Sequence, residues 1–174
     1  MATLDIITIP DPILRKVSAP IERVDDELRQ LIDDMLETMY EAPGIGLAGV
    51  QVAVPRRVIV LDVMRDEDVP KNPIAMINPE IVWRGEEPRV HEEGCLSIPE
   101  FYAEIERPSE VRVAFLDRDG QPREMHCEDL LATVVQHEVD HLDGKLFIDY
   151  LSRLKRDRLV KKFIKAQKDR EAAA

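Results

Sequence analysis

The sequence predicts an α+β fold, with mostly antiparallel strands packed around a central helix and a further helix at the C-terminal end. Residues 25–41 and 128–142 carry apolar residues at the spacing of one helix face. Between them, β-branched and aromatic residues form short runs that Pro, Gly and Asn separate, and Asp119-Gly120 marks a tight turn. Short strands with tight turns favour antiparallel pairing, because parallel strands need long crossover connections.

The first predicted helix spans residues 25–41. Its apolar side chains recur every three or four residues, at Leu28, Leu31, Ile32, Met35, Leu36 and Met39. Asp25-Asp26-Glu27 suits a helix N-terminus, and Pro43 with Gly44 ends the helix. Three prolines in residues 1–24 predict an irregular arm before it.

The rest of the chain is predicted as short strands followed by two helices. The strand-like runs cover residues 47–53, 57–63, 75–83, 111–117 and 121–126. The third run is interrupted at Asn78-Pro79. Helical periodicity returns at residues 128–142, and Gly144 follows where a C-terminal cap would lie. A last helix is predicted over residues 152–168.

Size and composition indicate a single globular domain, residues 1–174, that ends in a basic helical tail, residues 151–174. No run approaches the roughly 18 apolar residues of a membrane span. The start, Met1–Asp5, has no basic and apolar leader pattern, so we expect no secretory signal. Nothing suggests export and both cysteines are expected to be reduced, which predicts a cytoplasmic protein with no membrane partner.

The net charge of −11 is unevenly distributed. Residues 151–174 hold nine Lys or Arg and three acids, a net charge of +6, which leaves −17 on residues 1–150. An acidic body is repelled by nucleic acid, whereas a basic tail can contact it locally. We therefore expect no DNA partner.

The segment His137-Glu138-Val139-Asp140-His141 has the pattern H-E-x-x-H inside the second predicted helix. Residues four apart on a helix lie one above the other, so two imidazoles there can bind one metal ion. Glu138 projects beside such a metal, where a general base for a bound water would lie. The alternative is a solvated helix face whose polar residues match the pattern by chance.

A catalytic metal of this kind takes three protein ligands and keeps one position open. The third histidine of the metzincin pattern would fall at Phe147, and the segment beyond is basic and poor in acids. Cys95 is predicted on a loop or strand that could reach the site, which makes a Cys-His-His set the best supported. The alternative for Cys95 taken alone is a small buried thiol.

Three separated motifs occur in the chain in this order: Gly44-Ile45-Gly46-Leu47-Ala48-Gly49-Val50-Gln51, Glu93-Gly94-Cys95-Leu96-Ser97 and Gln136-His137-Glu138-Val139-Asp140-His141-Leu142-Asp143-Gly144. With these three motifs the chain resembles the bacterial peptide deformylases. The resemblance extends from Pro10 to the helix after Tyr150. Two departures are Gly49, usually Ala, and Tyr102, where many members have Arg near the substrate.

The resemblance implies hydrolysis of the N-formyl group of formyl-methionine on newly synthesised polypeptides, with release of formate. It implies one divalent metal on Cys95, His137 and His141, with ferrous iron as the physiological ion; Zn²⁺, Ni²⁺ or Co²⁺ could replace it in purified protein. Glu138 would be the general base and acid. The Gln51 side chain and the Leu96 N–H would stabilise charge on the carbonyl oxygen.

The resemblance also implies a substrate pocket. The positions that match the pocket and the peptide-binding strand of the family are Ile45, Gly46, His91, Gly94, Leu130 and Val134. For Gln51 and His91 the alternatives are a polar strand end and a partly exposed surface residue. Asp140 is predicted to support the metal ligands, paired with Arg107.

The sequence leaves two rival functions and one binding partner undecided. One rival is a peptidase that cleaves internal peptide bonds, and the other is a metal-stabilised module without catalysis, although structural zinc sites normally have four ligands. The basic tail could contact the ribosome through RNA phosphates. Its alternative is a solvated helix packed on the body by Leu154, Leu159 and Phe163.

Overall fold

The computed structural model describes residues 2–64 and 66–173, so Met1 and Ala174, the ends of the predicted domain, and Arg65 lie outside the described residues. Within that part the chain forms three α-helices and seven strands. The helices are α1 (Asp26–Glu41), α2 (Asp129–Leu142) and α3 (Arg153–Ala173). The strands are β1 (Gly46–Ala48), β2 (Val58–Leu61), β3 (Ile74–Arg84), β4 (Pro88–Cys95), β5 (Ile98–Pro108), β6 (Glu110–Leu116) and β7 (Pro122–Glu128).

The strands form two antiparallel sheets. Five strands pair in the order β1-β2-β3-β6-β7, and β4 pairs with β5 as a separate hairpin. Helix α2 contacts both sheets, and α3 follows at the C-terminal end. The predicted α+β class, its antiparallel strands and its terminal helix are confirmed.

Helix α1 forms where its periodicity predicts. The Asp25 side chain accepts a hydrogen bond from the Leu28 backbone N–H, a capping contact typically worth about 1 kcal/mol. Ile32 and Met35 are fully buried against a core that also contains Val60 of β2. The apolar stripe therefore attaches the helix to the five-stranded sheet.

Helix α2 lies at the centre of the molecule, and every residue from Ala132 to Leu142 except Asp140 is buried. Its Val135 and Leu142 pack with Ile59 and Val113 of the sheet. Fully burying one such side chain contributes roughly 1.5–3 kcal/mol. The polar residues of this helix are thus held by apolar packing on several sides.

Two predicted strands differ from the structure. The prediction of a strand over residues 47–53 is wrong beyond Ala48, because the chain turns at Gly49–Val52 into one turn of 3₁₀ helix. A Cβ at Gly49 would lie 2.7 Å from the Val54 carbonyl oxygen, so the chain packs closely on itself at this turn. At Asn78 the strand bulges but continues, since the Asn78 side chain binds both backbone groups of Ile21.

The hairpin of β4 and β5 is absent from the sequence-based prediction. One of its faces is exposed and rich in charge, so the apolar alternation that indicates a strand is weak there. The hairpin places Cys95 at the end of β4, beside α2.

Helix α3 packs on the body through Phe163, which is buried and meets Phe101 of β5 edge to face at 5.8 Å between ring centroids. Leu159 is partly buried in the same cluster. The alternative interpretation of the tail also placed Leu154 against the body, but that side chain is exposed. None of the helices in the described part of the chain combines the length and apolar character needed to cross a membrane.

Candidate metal centre and active site

Three potential metal ligands meet at the centre of the molecule: Cys95 from the end of β4, and His137 and His141 from α2. One ligand atom of each lies within 4.8 Å of the others. The Cys95 Sγ and the His141 Nε2 are 3.4 Å apart. The helical spacing of four residues brings the two imidazoles together, with 5.1 Å between ring centroids.

This geometry fits a metal ion. A tetrahedral ion bound at about 2.3 Å to sulfur and about 2.0–2.1 Å to nitrogen would hold those two atoms roughly 3.5 Å apart. The separation between Cys95 and His141 agrees with that value. One thiolate and two imidazoles also form a donor set that suits zinc or ferrous iron and leaves a position for water.

Glu93 and Arg107 hold the imidazole of His137 in place. The Glu93 carboxylate lies 2.9 Å from the His137 Nδ1, which directs the Nε2 of His137 away from Glu93. Arg107 donates to both Glu93 oxygens, at 2.7 and 3.0 Å, and to the Asp140 carboxylate at 2.9 Å. Tyr150 donates to the same Asp140 oxygen at 2.7 Å. The predicted pairing of Asp140 with Arg107 is confirmed.

The charge state of this network follows from its partners. Burial alone would raise the pKa of Glu93, but hydrogen bonds from His137 and Arg107 outweigh it and hold the pKa below its ordinary value. Burial likewise opposes charge on His137, yet hydrogen bonds with Cys95 and Glu93 raise the pKa of that imidazole. Burial lowers the pKa of His141. Metal ligands must be deprotonated, so such a centre loses its metal at acidic pH.

Glu138 follows His137 on α2 and is buried. Its Oε1 has no hydrogen-bond partner among the described residues, and burial raises the pKa of its carboxyl to about 7. A buried carboxylate oxygen without a hydrogen-bond partner is costly, and such groups concentrate at functional sites. A Cβ at Gly46 would lie 2.4 Å from the Glu138 Oε2, so this glycine makes room for the carboxylate.

Gln51 reaches the same point from the 3₁₀ turn after β1. Its Oε1 accepts from the Ala48 N–H at 2.9 Å, which orients the amide and turns the Nε2 toward the centre. The Nε2 donates to the Ser97 Oγ at 2.9 Å and lies 3.5 Å from the Cys95 Sγ. In the structure Gln51 is buried on this 3₁₀ turn and makes its contact with Ser97 from there, and not from the predicted strand.

A cavity of about 600 Å³ opens onto the site. All six residues predicted from the resemblance to bind substrate line it: Ile45, Gly46, His91, Gly94, Leu130 and Val134. Leu96, Gln51, Cys95, His137 and Glu138 line it as well, whereas His141 lies behind them and is buried. The structure thus brings the predicted residues together around one cavity.

Two features here were not predicted from the sequence. Glu93 and Arg107 stand 14 positions apart, and only the pairing of β4 with β5 places them side by side. The sequence signal that could have indicated a role for Glu93 was its position as an acidic residue immediately before Gly94-Cys95. Tyr102 packs so closely on Gly94 that a Cβ there would lie 2.4 Å from its ring.

Cys127 and His126 lie away from the cavity. Cys127 is fully buried in the core, where burial raises the pKa of its thiol to about 11. His126 is partly exposed at the edge of the five-stranded sheet, near Glu110 and Glu128. Neither contributes to the cavity.

A Cys-His-His donor set with a buried carboxylate at the end of an apolar cavity is typical of metal-dependent hydrolases. Comparison with known proteins agrees. The family model described as polypeptide deformylase matches residues 3–157. The peptide deformylase of Methylocella silvestris is 62% identical over 165 residues, which cover 94% of this chain and 84% of that protein.

Solved structures show the same likeness. A peptide deformylase from Legionella pneumophila superposes with a TM-score of 0.90 at 43% identity, covering 98% of both chains. A peptide deformylase from Ehrlichia chaffeensis in complex with actinonin gives 0.89 at 40% identity, covering 95% of this chain and 98% of that one. The chain belongs to the polypeptide deformylase family, whose members are metal-dependent hydrolases.

Proposed function

We propose that this chain removes the N-formyl group from the N-terminal formyl-methionine of newly synthesised polypeptides and releases formate. The observation that carries the proposal is the meeting of Cys95, His137 and His141 at the end of the cavity, where Glu138 is buried and its Oε1 has no hydrogen-bond partner among the described residues. Family membership selects the formyl amide as the bond attacked. We further propose that residues 1–174 act as one such domain, with residues 151–174 as its basic tail.

Cys95, His137 and His141 would hold one divalent metal, with ferrous iron as the physiological ion and zinc, nickel or cobalt as substitutes. Such an ion, when bound, acidifies water at its open position and polarises the formyl carbonyl group. Glu93 holds His137 through Nδ1 and so presents the opposite nitrogen as the ligand atom.

Glu138 would act as general base and then as general acid. In the first step its carboxylate accepts a proton from the attacking water. In the second it returns that proton to the methionine nitrogen as the C–N bond breaks, because an amide anion is too basic to leave alone. A pKa of about 7 suits both transfers near neutral pH.

Gln51 would stabilise the negative charge that develops on the formyl oxygen. Its amide is oriented in advance by the Ala48 N–H, so little reorganisation is needed when charge appears. The Leu96 N–H would be a second donor. Loss of one such donor costs roughly 3–4 kcal/mol of activation free energy in comparable sites.

The methionine side chain would occupy the apolar part of the cavity, against Ile45, Leu130 and Val134, with His91 at its side. Gly46 and Gly94 would let the substrate backbone approach. Gly46 is already in contact distance of Glu138, so a peptide bound along β1 lies next to the proposed base.

Because formyl groups mark chains newly made on ribosomes, we propose a cytoplasmic site of action and a ribosome contact through the basic helix α3. Lys161, Lys162, Lys165 and Lys168 are exposed and free to meet RNA phosphates. Replacing these four by Gln should abolish salt-sensitive co-sedimentation with ribosomes while the fold, which rests on Phe163, is kept. Unchanged co-sedimentation would exclude the contact.

The experiment that tests the main proposal compares three peptides: formyl-Met-Ala-Ser, acetyl-Met-Ala-Ser and unmodified Met-Ala-Ser. Protein is purified without oxygen, and formate, acetate and free amino acids are measured. We expect formate from the first peptide and no cleavage of the other two. Cleavage of the unmodified peptide would instead support the internal peptidase, and no cleavage at all would support a non-catalytic module.

A further inference from the structure

The mouth of the cavity is acidic. Among the described residues that line it there are four glutamates and neither Lys nor Arg. Glu93 is neutralised by Arg107 and Glu138 is buried, so the exposed Glu92 and Glu100 determine the charge that an entering peptide meets.

Glu100 already forms an ion pair with a basic side chain. Its Oε2 accepts a hydrogen bond from the guanidinium of Arg170, near the end of α3. The pair lies in solvent, with 71% of the Glu100 and 55% of the Arg170 side chain exposed. An exposed ion pair of this kind is weak and exchanges readily.

The local backbone presents Glu100 at this mouth. Gly94 pairs with Tyr102 and Cys95 pairs with Ile98, so residues 99–101 bulge out of the hairpin next to a proposed metal ligand. Glu100 has a φ of +71°, a left-handed conformation that non-glycine residues rarely adopt. The bulge therefore sets this carboxylate apart from the regular face of β5.

We infer that Glu100 is a specificity-determining residue that accepts a Lys or Arg side chain of the formyl peptide, just after the methionine, in exchange for Arg170. This inference rests on the proposed function. The guanidinium of Arg170 shows that a basic side chain can dock on Glu100, and Glu92 adds attraction of the same sign. An acidic side chain at the same place is repelled by both carboxylates.

The test measures kcat/KM for formate release from formyl-Met-Ala-Lys and formyl-Met-Ala-Glu, and from formyl-Met-Lys-Ser and formyl-Met-Glu-Ser, at low ionic strength. We expect the wild type to favour the Lys peptide of at least one pair by about threefold to fivefold, the range of an exposed ion pair. Glu100→Gln should reduce this ratio by at least about half. Arg170→Gln should raise it, because the internal competitor is gone.

Two control variants separate a local contact from a general charge effect. Glu104→Gln removes an exposed carboxylate of the same strand, and Lys155→Gln removes an exposed cation of the same helix; neither residue lines the cavity. Both should keep the wild-type ratio. High salt should bring the wild-type ratio close to one.

The outcomes distinguish this inference from the proposed function. Release from all peptides at equal rates, or a change in Glu104→Gln as large as that in Glu100→Gln, would overturn the role of Glu100 and leave deformylation intact. No formate from these peptides or from formyl-Met-Ala-Ser would overturn both.

Discussion

Arg107 supports the candidate metal centre from inside the protein, and its removal is predicted to destabilise the fold severely. The variant Arg107→Met keeps most of the side-chain volume but removes three hydrogen bonds to Glu93 and Asp140, of 2.7, 3.0 and 2.9 Å. Arg107 and Glu93 are each only 4% exposed. The variant therefore leaves a buried carboxylate with its main cation gone.

The magnitude follows from burial. Removing one partner of a buried ion pair costs about 3–5 kcal/mol, because the remaining charge is neither solvated nor paired. Arg118 provides the matched control, since it contacts Asp33 at 2.6 Å but with side chains 42% and 31% exposed. Arg118→Met should cost less than about 1 kcal/mol. Both variants remove an ion pair of Arg with a carboxylate, but Arg107 makes three hydrogen bonds in a buried site and Arg118 makes one at the surface.

The assay is urea unfolding of both variants and the wild type at pH 7 with equal metal content. The free energy of unfolding should fall far more for Arg107→Met than for Arg118→Met. Since the pKa of Glu93 is lowered in the folded wild type, its stabilisation is lost as the pH falls below about 4.5, so the deficit of Arg107→Met should shrink there. Equal losses for the two variants at pH 7 would refute the reasoning.

Three further predictions concern separate parts of the molecule. Gln51→Leu should lower kcat by about 100-fold to 1,000-fold with little change in metal content, because it removes a charge-stabilising donor and no ligand; an unchanged kcat would exclude this role. Gly46→Ala should also lower kcat, since its Cβ would lie 2.4 Å from the Glu138 carboxylate and must displace it; full activity would show that Glu138 can move without consequence. The Cys127 thiol is neutral and buried with a pKa raised from 9.0 to about 11, so its contribution to stability is present below pH 9 and lost as the pH rises toward 11. Urea unfolding at pH 8 and pH 10 should show this loss in the wild type and a smaller one in Cys127→Ala; identical losses would exclude Cys127 as the cause.

The helices and the two histidines of the candidate metal site could be predicted from the sequence because each depends on local spacing. The stripe in α1 follows a period of 3.6 residues, and two histidines four apart lie on one face of α2 in any sequence that folds as a helix there. The proposed ligand Cys95 was identified by the scarcity of other donors, and its role needed the family motif as well.

The parts that were missed depend on contacts between distant residues. The hairpin of β4 and β5 is charged on one face, so its strands lack the apolar alternation that would reveal them. Arg107 supports His137 only through Glu93, a contact that exists because the hairpin pairs in one register. Gln51 lies on the turn that follows the short strand β1, and there its amide meets Ser97 and Cys95, contacts between distant residues that no periodicity encodes.

The most direct test of the central claim compares the wild type with Glu138→Gln, both purified without oxygen and analysed for bound metal. Glutamine keeps the shape of the side chain but cannot accept the proton from water. With about one metal per chain in both proteins, the wild type should release formate from formyl-Met-Ala-Ser, and the variant should be slower by about 100-fold or more. A metal-loaded variant as fast as the wild type would show that Glu138 is not the base. A metal-loaded wild type that releases no formate would contradict the proposed deformylase function itself.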